Sequence, residues 1–210
     1  MKNQLRGRRA ILTGLGAVAT AGAMGVRARA QASPAPFTPV LHSLDDWMSA
    51  MSGKHRVVFD VTSPTGLPDV IRFVGNYTTG HKNGYEVDES DLARIVCFRH
   101  GATVYGYGDF MWSKYGKMLD AKATPPPTAN PFNSGERMQL SDLAKRGVQF
   151  MVCGTASRNR SIQLAGPGGD ADAVFKEMLA NLIPNARMMP AWVVGVAHAQ
   201  ERGFAVIHVG

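Results

Sequence analysis

The sequence predicts an α/β fold, a mostly parallel sheet with helices on both faces, and three observations lead there. Four short runs rich in Val, Ile and Phe read as strands without polar alternation, as strands do when both faces are covered. Segments with apolar residues at helical spacing separate them. Parallel neighbours require crossovers of that kind, so the alternation favours a parallel sheet over hairpins. With 210 residues, 45% of them apolar, the chain can form about one domain with a sizeable core.

Residues 1–32 read as an address rather than as part of that domain. Arg8-Arg9 precede an apolar run, Ala10 to Val26, in which nine of seventeen residues are Gly or Ala. A membrane-spanning helix needs about 20 strongly apolar residues, so this run gives no stable span. Its basic start, apolar middle and small-residue exit are the parts of a secretory signal. Arg8-Arg9 with Ile11-Leu12 resemble the twin-arginine type, which makes that export machinery an expected partner. The mature protein is then periplasmic or otherwise exported, after cleavage at Ala30 or Ala32; an uncleaved amphipathic anchor is the alternative. The net charge of +7 is concentrated here, because residues 1–32 hold six of the 23 basic residues and no acid. That leaves 17 basic against 16 acidic residues, and no basic patch for nucleic acid.

Residues 33–54, with Pro34, Pro36 and Pro39, read as a linker and N-terminal extension, and residues 55–210 as the domain. His55 to Thr62 is the first strand, and Ser63 to Gly66 a turn able to start a helix. Leu67, Val70, Ile71, Val74 and Tyr77 continue at helical spacing, with Gly80 and Gly84 expected to end that helix. Further strands are expected over 92–98, 148–153 and 204–209, and helices over 139–146, 171–183 and 191–202. Gly147 and Gly203 stop the first and last of these helices. Arg99 to Tyr115 is aromatic, glycine-rich and too irregular for a plain helix. Thr124 to Asn133 holds four prolines and reads as a long, stiff loop. Trp112 and Phe132 nearby favour an ordered lid or an oligomer contact; a plain surface loop is the alternative.

In an open parallel sheet, ligands bind beyond the carboxyl ends of the strands. Those ends carry Asp60 to Thr62, Arg99-His100, Cys153-Gly154-Thr155 and His208. If a helix starts after Cys153, its free N–H groups face the sulfur, with Arg158 and Arg160 near, a setting that lowers a thiol pKa. A buried strand cysteine acting as a small hydrophobe is the competing reading. Cys97, between Val96 and Phe98, reads as core; a Cys97–Cys153 disulfide depends on strand order. Asp60 within an apolar strand must be paired or lie near solvent at the strand mouth. His198 reads as a satisfied core or groove histidine. Two cysteines exclude a disulfide scaffold and a cysteine-built zinc cage, and six histidines show no HxH or HExxH spacing. No metal or other cofactor is expected.

Three segments resemble the DsrE/DsrF-like family of sulfur metabolism. They are Arg94 to Tyr115, Leu143 to Cys153, and Met189-Pro190-Ala191-Trp192-Val193-Val194 leading to Phe204. The resemblance spans roughly His55 to Val209 and implies a three-layer α/β/α sandwich with about five strands and flavodoxin-like topology. It also implies a short strand around Arg187-Met188-Met189 and assembly as trimers or hexamers. Sulfur-relay members carry a persulfide on a cysteine at the position of Cys153, with Gly147, Ala156 and Arg160 matching its surroundings. Trp192 stands where the family has a small residue.

The expected function is therefore that of an exported protein that binds or carries sulfur through Cys153, a transferase or carrier rather than a turnover enzyme. Amides of Gly154 and Thr155, with Arg158 or Arg160, would stabilise the anion. Arg99 and His100 would recognise a sulfur species, and a sulfur-donating or -accepting protein would be a partner. The alternative is a non-catalytic oligomeric binding module with a pocket of Tyr105, Tyr107, Phe110 and Trp112, Cys153 being structural.

Overall fold

A computed structural model describes residues 38–133 and 138–210; the expected export signal and its cleavage sites lie outside them. Five strands form one sheet: β1 (His55–Val61), β2 (Leu92–Phe98), β3 (Gln149–Cys153), β4 (Ala186–Met189) and β5 (Ala205–Val209). All pair in parallel, in the order β4-β3-β2-β1-β5. The helices are α1 (Asp46–Ser49), α2 (Leu67–Tyr85), α3 (Asp109–Leu119), α4 (Leu140–Lys145), α5 (Gly154–Ala165), α6 (Ala171–Ala180) and α7 (Trp192–Glu201).

Strand periodicity sorts side chains between two cores. Val57, Phe59 and Val61 of β1, Val96 and Phe98 of β2, and Phe150 and Val152 of β3 face one core, with Leu67, Val70, Met111, Trp112, Leu140 and Met178 from helices α2, α3, α4 and α6. Val58, Ile95, Cys97 and Met151 face the other, with Met48 of α1 and Val196 and Ala199 of α7. Right-handed crossovers explain the division. Stepping from β1 through β2 and β3 to β4 in one direction keeps α2 to α6 on one face. The return from β4 to β5 runs the other way and puts α7 on the opposite face.

The α/β sandwich expected from the sequence is thus observed, including the short fourth strand. The flavodoxin-like strand order is not. That order, 2-1-3-4-5, would leave the second strand at an edge, whereas Leu92–Phe98 is buried at all seven positions and lies in the middle. The edges go instead to β4 and to β5, the latter exposed at four of its five residues.

Helix α2 also runs past its expected end, through Gly80 and Gly84, to a left-handed cap at Glu86 with φ of 56°. Arg99 to Tyr115 divides into a 3-10 helix, His100–Gly106, and most of α3. The proline-rich segment is seated on the domain. Buried Asn130 donates through Nδ2 to the carbonyls of Tyr105 and Tyr107, both at 2.8 Å. Helix α3 meets the segment at Gly116, where an added Cβ would stand 1.7 Å from the Pro127 carbonyl oxygen. Gly116→Ala is expected to cost about 2 kcal/mol by forcing the two apart. Chemical denaturation measures it, and an unchanged midpoint would show that the loop yields freely.

Candidate functional site

The connections leave neighbouring strands β3 and β4 toward opposite faces, to α5 and α7, so the crevice of this sheet opens at their carboxyl ends. Cys153, Gly154, Met189 and Pro190 stand there. Cys153 closes β3 and is at once the N-cap of α5, its Sγ accepting the Ala156 N–H at 3.5 Å. The helix start expected after Cys153 is therefore present. Gly154 must lack a side chain, since a Cβ would meet the Met189 carbonyl oxygen at 2.5 Å. Thr155 Oγ1 donates to the Pro190 carbonyl at 3.2 Å and ties the two chain exits together.

The thiol itself is not presented to solvent. Cys153 is 3% exposed, because its cap contact turns Sγ back over the first turn of α5. Cys97 is fully buried, and burial pushes its thiol far above the ordinary range; Asp60 and Cys153 add to that, against Arg99. Both cysteines are free. Cys97 pairs with Met151, so Cys153 lies on the diagonal, about 7–8 Å away and beyond disulfide reach.

Arg99 and Cys153 each follow the last paired rung of β2 and β3, Phe98 with Val152. Arg99 is not free for a ligand, however. Its Nε donates to both carboxylate oxygens of Asp60, at 2.8 and 3.0 Å, and Trp192 stacks on its guanidinium at 4.0 Å. His208 Nδ1 lies 3.3 Å from the same carboxylate. Asp60 is therefore a buried counterion, paired as expected, rather than a ligand-binding group. His100 is exposed, has φ of 50°, and meets Trp192 edge-on at 6.2 Å. A left-handed non-glycine residue carries about 1 kcal/mol of strain or more.

The other expected site residues do not converge on the sulfur. Arg158 stacks on Phe175 at 3.8 Å and pairs with Asp172, while Arg160 donates to Gln163 at 2.9 Å. Tyr105 and Trp112, expected in a ligand pocket, are core residues stacked on each other at 5.4 Å. Tyr107 is fully buried as well; burial raises its pKa to about 12, and its hydroxyl donates to Ser157 at 2.8 Å. The aromatic pocket is thus corrected to a packed core: the 3-10 helix and the residue after it bury Tyr105 and Tyr107, and α3 buries Trp112 and leaves Phe110 outside.

No family model matches the chain, and no curated protein is similar to it. A solved structure of a protein of unknown function from Methanobacterium thermoautotrophicum is similar, at 16% identity and a TM-score of 0.44 over 74% of this chain and 99% of that one.

Two histidine–carboxylate pairs went unseen in the sequence: His208 with Asp60, and His198 with buried Asp45 at 2.6 Å. Their partners are 148 and 153 residues apart, and only the strand order and the docking of the N-terminal segment bring them together. Among the described residues no cluster of three His, Cys, Asp or Glu could hold a metal, and no helix is long and apolar enough to cross a membrane.

Proposed function

We propose that the protein binds and carries sulfur on Cys153, as its resemblance to the DsrE/DsrF-like family implies. One observation carries this reading: the thiol at the sheet's crevice, that of Cys153, caps a helix, with a backbone N–H directed at it. The thiolate attacks the outer sulfur of a donor persulfide, forming a new S–S bond. The donor's own S–S bond breaks and the donor departs as a thiolate, so no oxidant is consumed. Delivery to an acceptor thiol repeats the exchange in reverse. Export by the twin-arginine route and assembly into trimers or hexamers belong to the same reading.

Intact-mass measurement after incubation with a small organic persulfide tests it. A gain of ~32 Da on the Cys153 peptide is expected from sulfur transfer to that thiolate. Cys153→Ser should abolish the gain, and a protein that gains nothing, or gains it elsewhere, overturns the proposal.

The 3% exposure of Cys153 favours a second reading, a ligand-binding module in which that thiol is a structural cap. Retention of all ligand binding by Cys153→Ser, with no sulfur loading of the native protein, would select it.

A further inference from the structure

We propose that the outer side of β4 is a binding site for a small amphipathic anion, its charged group on Arg187 and its apolar body across the floor beside it. A groove of about 610 Å³ runs there between the N-terminal segment and helices α5 and α6. That volume suits a molecule of metabolite size. Its floor is apolar, from Leu44, Phe175, Leu179, Met188 and Met189. Leu44 is 82% and Leu179 46% exposed, so the groove leaves large side chains in water that a ligand body would cover.

The position of the charge follows from the two guanidiniums that flank this floor. Arg158 lies against Phe175 and is neutralised by Asp172. Arg187 lies against the Trp47 ring at 4.8 Å and donates to Gln149 at 2.7 Å, with no acidic partner among the described residues. Trp47 fixes one face of the Arg187 guanidinium and leaves its remaining N–H groups for an acceptor from outside. Asp45 also lines the groove, but it is 3% exposed and its carboxylate is engaged by His198 Nδ1 at 2.6 Å rather than by Arg187. Paired hydrogen bonds from a fixed guanidinium match a carboxylate or sulfonate, and the apolar floor requires a hydrocarbon body attached to it. A cation or a fully polar anion lacks one of the two halves.

This site does not depend on sulfur chemistry at Cys153. Isothermal titration calorimetry of the full chain with naphthoate, and with its uncharged amide as control, tests it. Naphthoate is expected to saturate at one equivalent and to bind about tenfold more tightly than the amide, the increment of one charge-assisted contact. Arg187→Met should remove that difference and leave the amide unchanged, while Leu179→Glu should abolish binding of both. Cys153→Ser should bind naphthoate as the native protein does, which separates failure here from failure of the sulfur reading. Absence of saturable heat overturns the proposal, as does equal affinity for naphthoate and amide. Burial of the groove between copies, seen as concentration-dependent shifts of its methionine methyl signals without ligand, overturns it too.

Discussion

Asp60→Ala is expected to destabilise the protein by about 3–4 kcal/mol, in the range found when one partner of a buried ion pair is removed. The Asp60 side chain is 6% exposed and that of Arg99 12%, so neither charge is hydrated enough to stand alone. Both carboxylate oxygens accept from Arg99 Nε, and deleting them leaves a guanidinium against Trp192 without an anion. His208 adds less, since its side chain is 60% exposed and its pairing is screened by water. Urea denaturation should show a lower midpoint with an unchanged slope. A loss below about 1 kcal/mol would mean that water reaches the pair, as at a surface bridge. Asp60→Leu with Arg99→Met should recover most of the loss, because the penalty lies in the orphaned charge rather than in the missing attraction. The same substitution tests the position of β5, whose parallel pairing with β1 places His208 beside Asp60.

How far the sequence reveals this molecule follows from the range over which each feature is encoded. The strands were legible because burial on both faces requires unbroken apolar runs such as Leu92–Phe98. The stops of α4 and α7 were legible because Gly147 and Gly203 take φ of 81°. Helix α2 was read too short, since each internal glycine costs only about 1 kcal/mol and the packing of Val70, Ile71 and Val74 outweighs that. Helix α1, at four residues, is below the length at which periodicity can register, yet it buries Met48. Cys153 was placed correctly at a strand end and helix start, but its exposure depends on where its own side chain turns, which no local pattern records. Asp60 and His208 lie on two strands and Arg99 just after a third, so their pairing requires the strand order, and that order differed from the one expected. Aromatic enrichment between Arg99 and Tyr115 was read as a pocket. The same residues serve equally well as core, and the faces presented by the 3-10 helix and α3 decide between the two.

That decision makes Trp112 the second large effect: Trp112→Ala is expected to cost about 4 kcal/mol, the usual range for emptying a buried aromatic site. Trp112 has no exposure, stacks on Tyr105, and Tyr105 in turn meets Phe132 edge-on at 5.2 Å. A cavity here therefore undermines the ring against which the proline-rich segment rests. Increased proteolysis within residues 124–133 should accompany the lower denaturation midpoint. Trp112→Phe separates volume from polarity. The indole N–H is buried without an acceptor among the described residues, and a buried unpaired donor is itself unfavourable. Phenylalanine removes that donor while filling most of the space, so its net cost should fall to about 1 kcal/mol or less. Equal losses for the two variants would show that the N–H holds a bridging contact and that the ring is more than packing. A small loss for both would return Trp112 to the ligand-facing role that the sequence suggested.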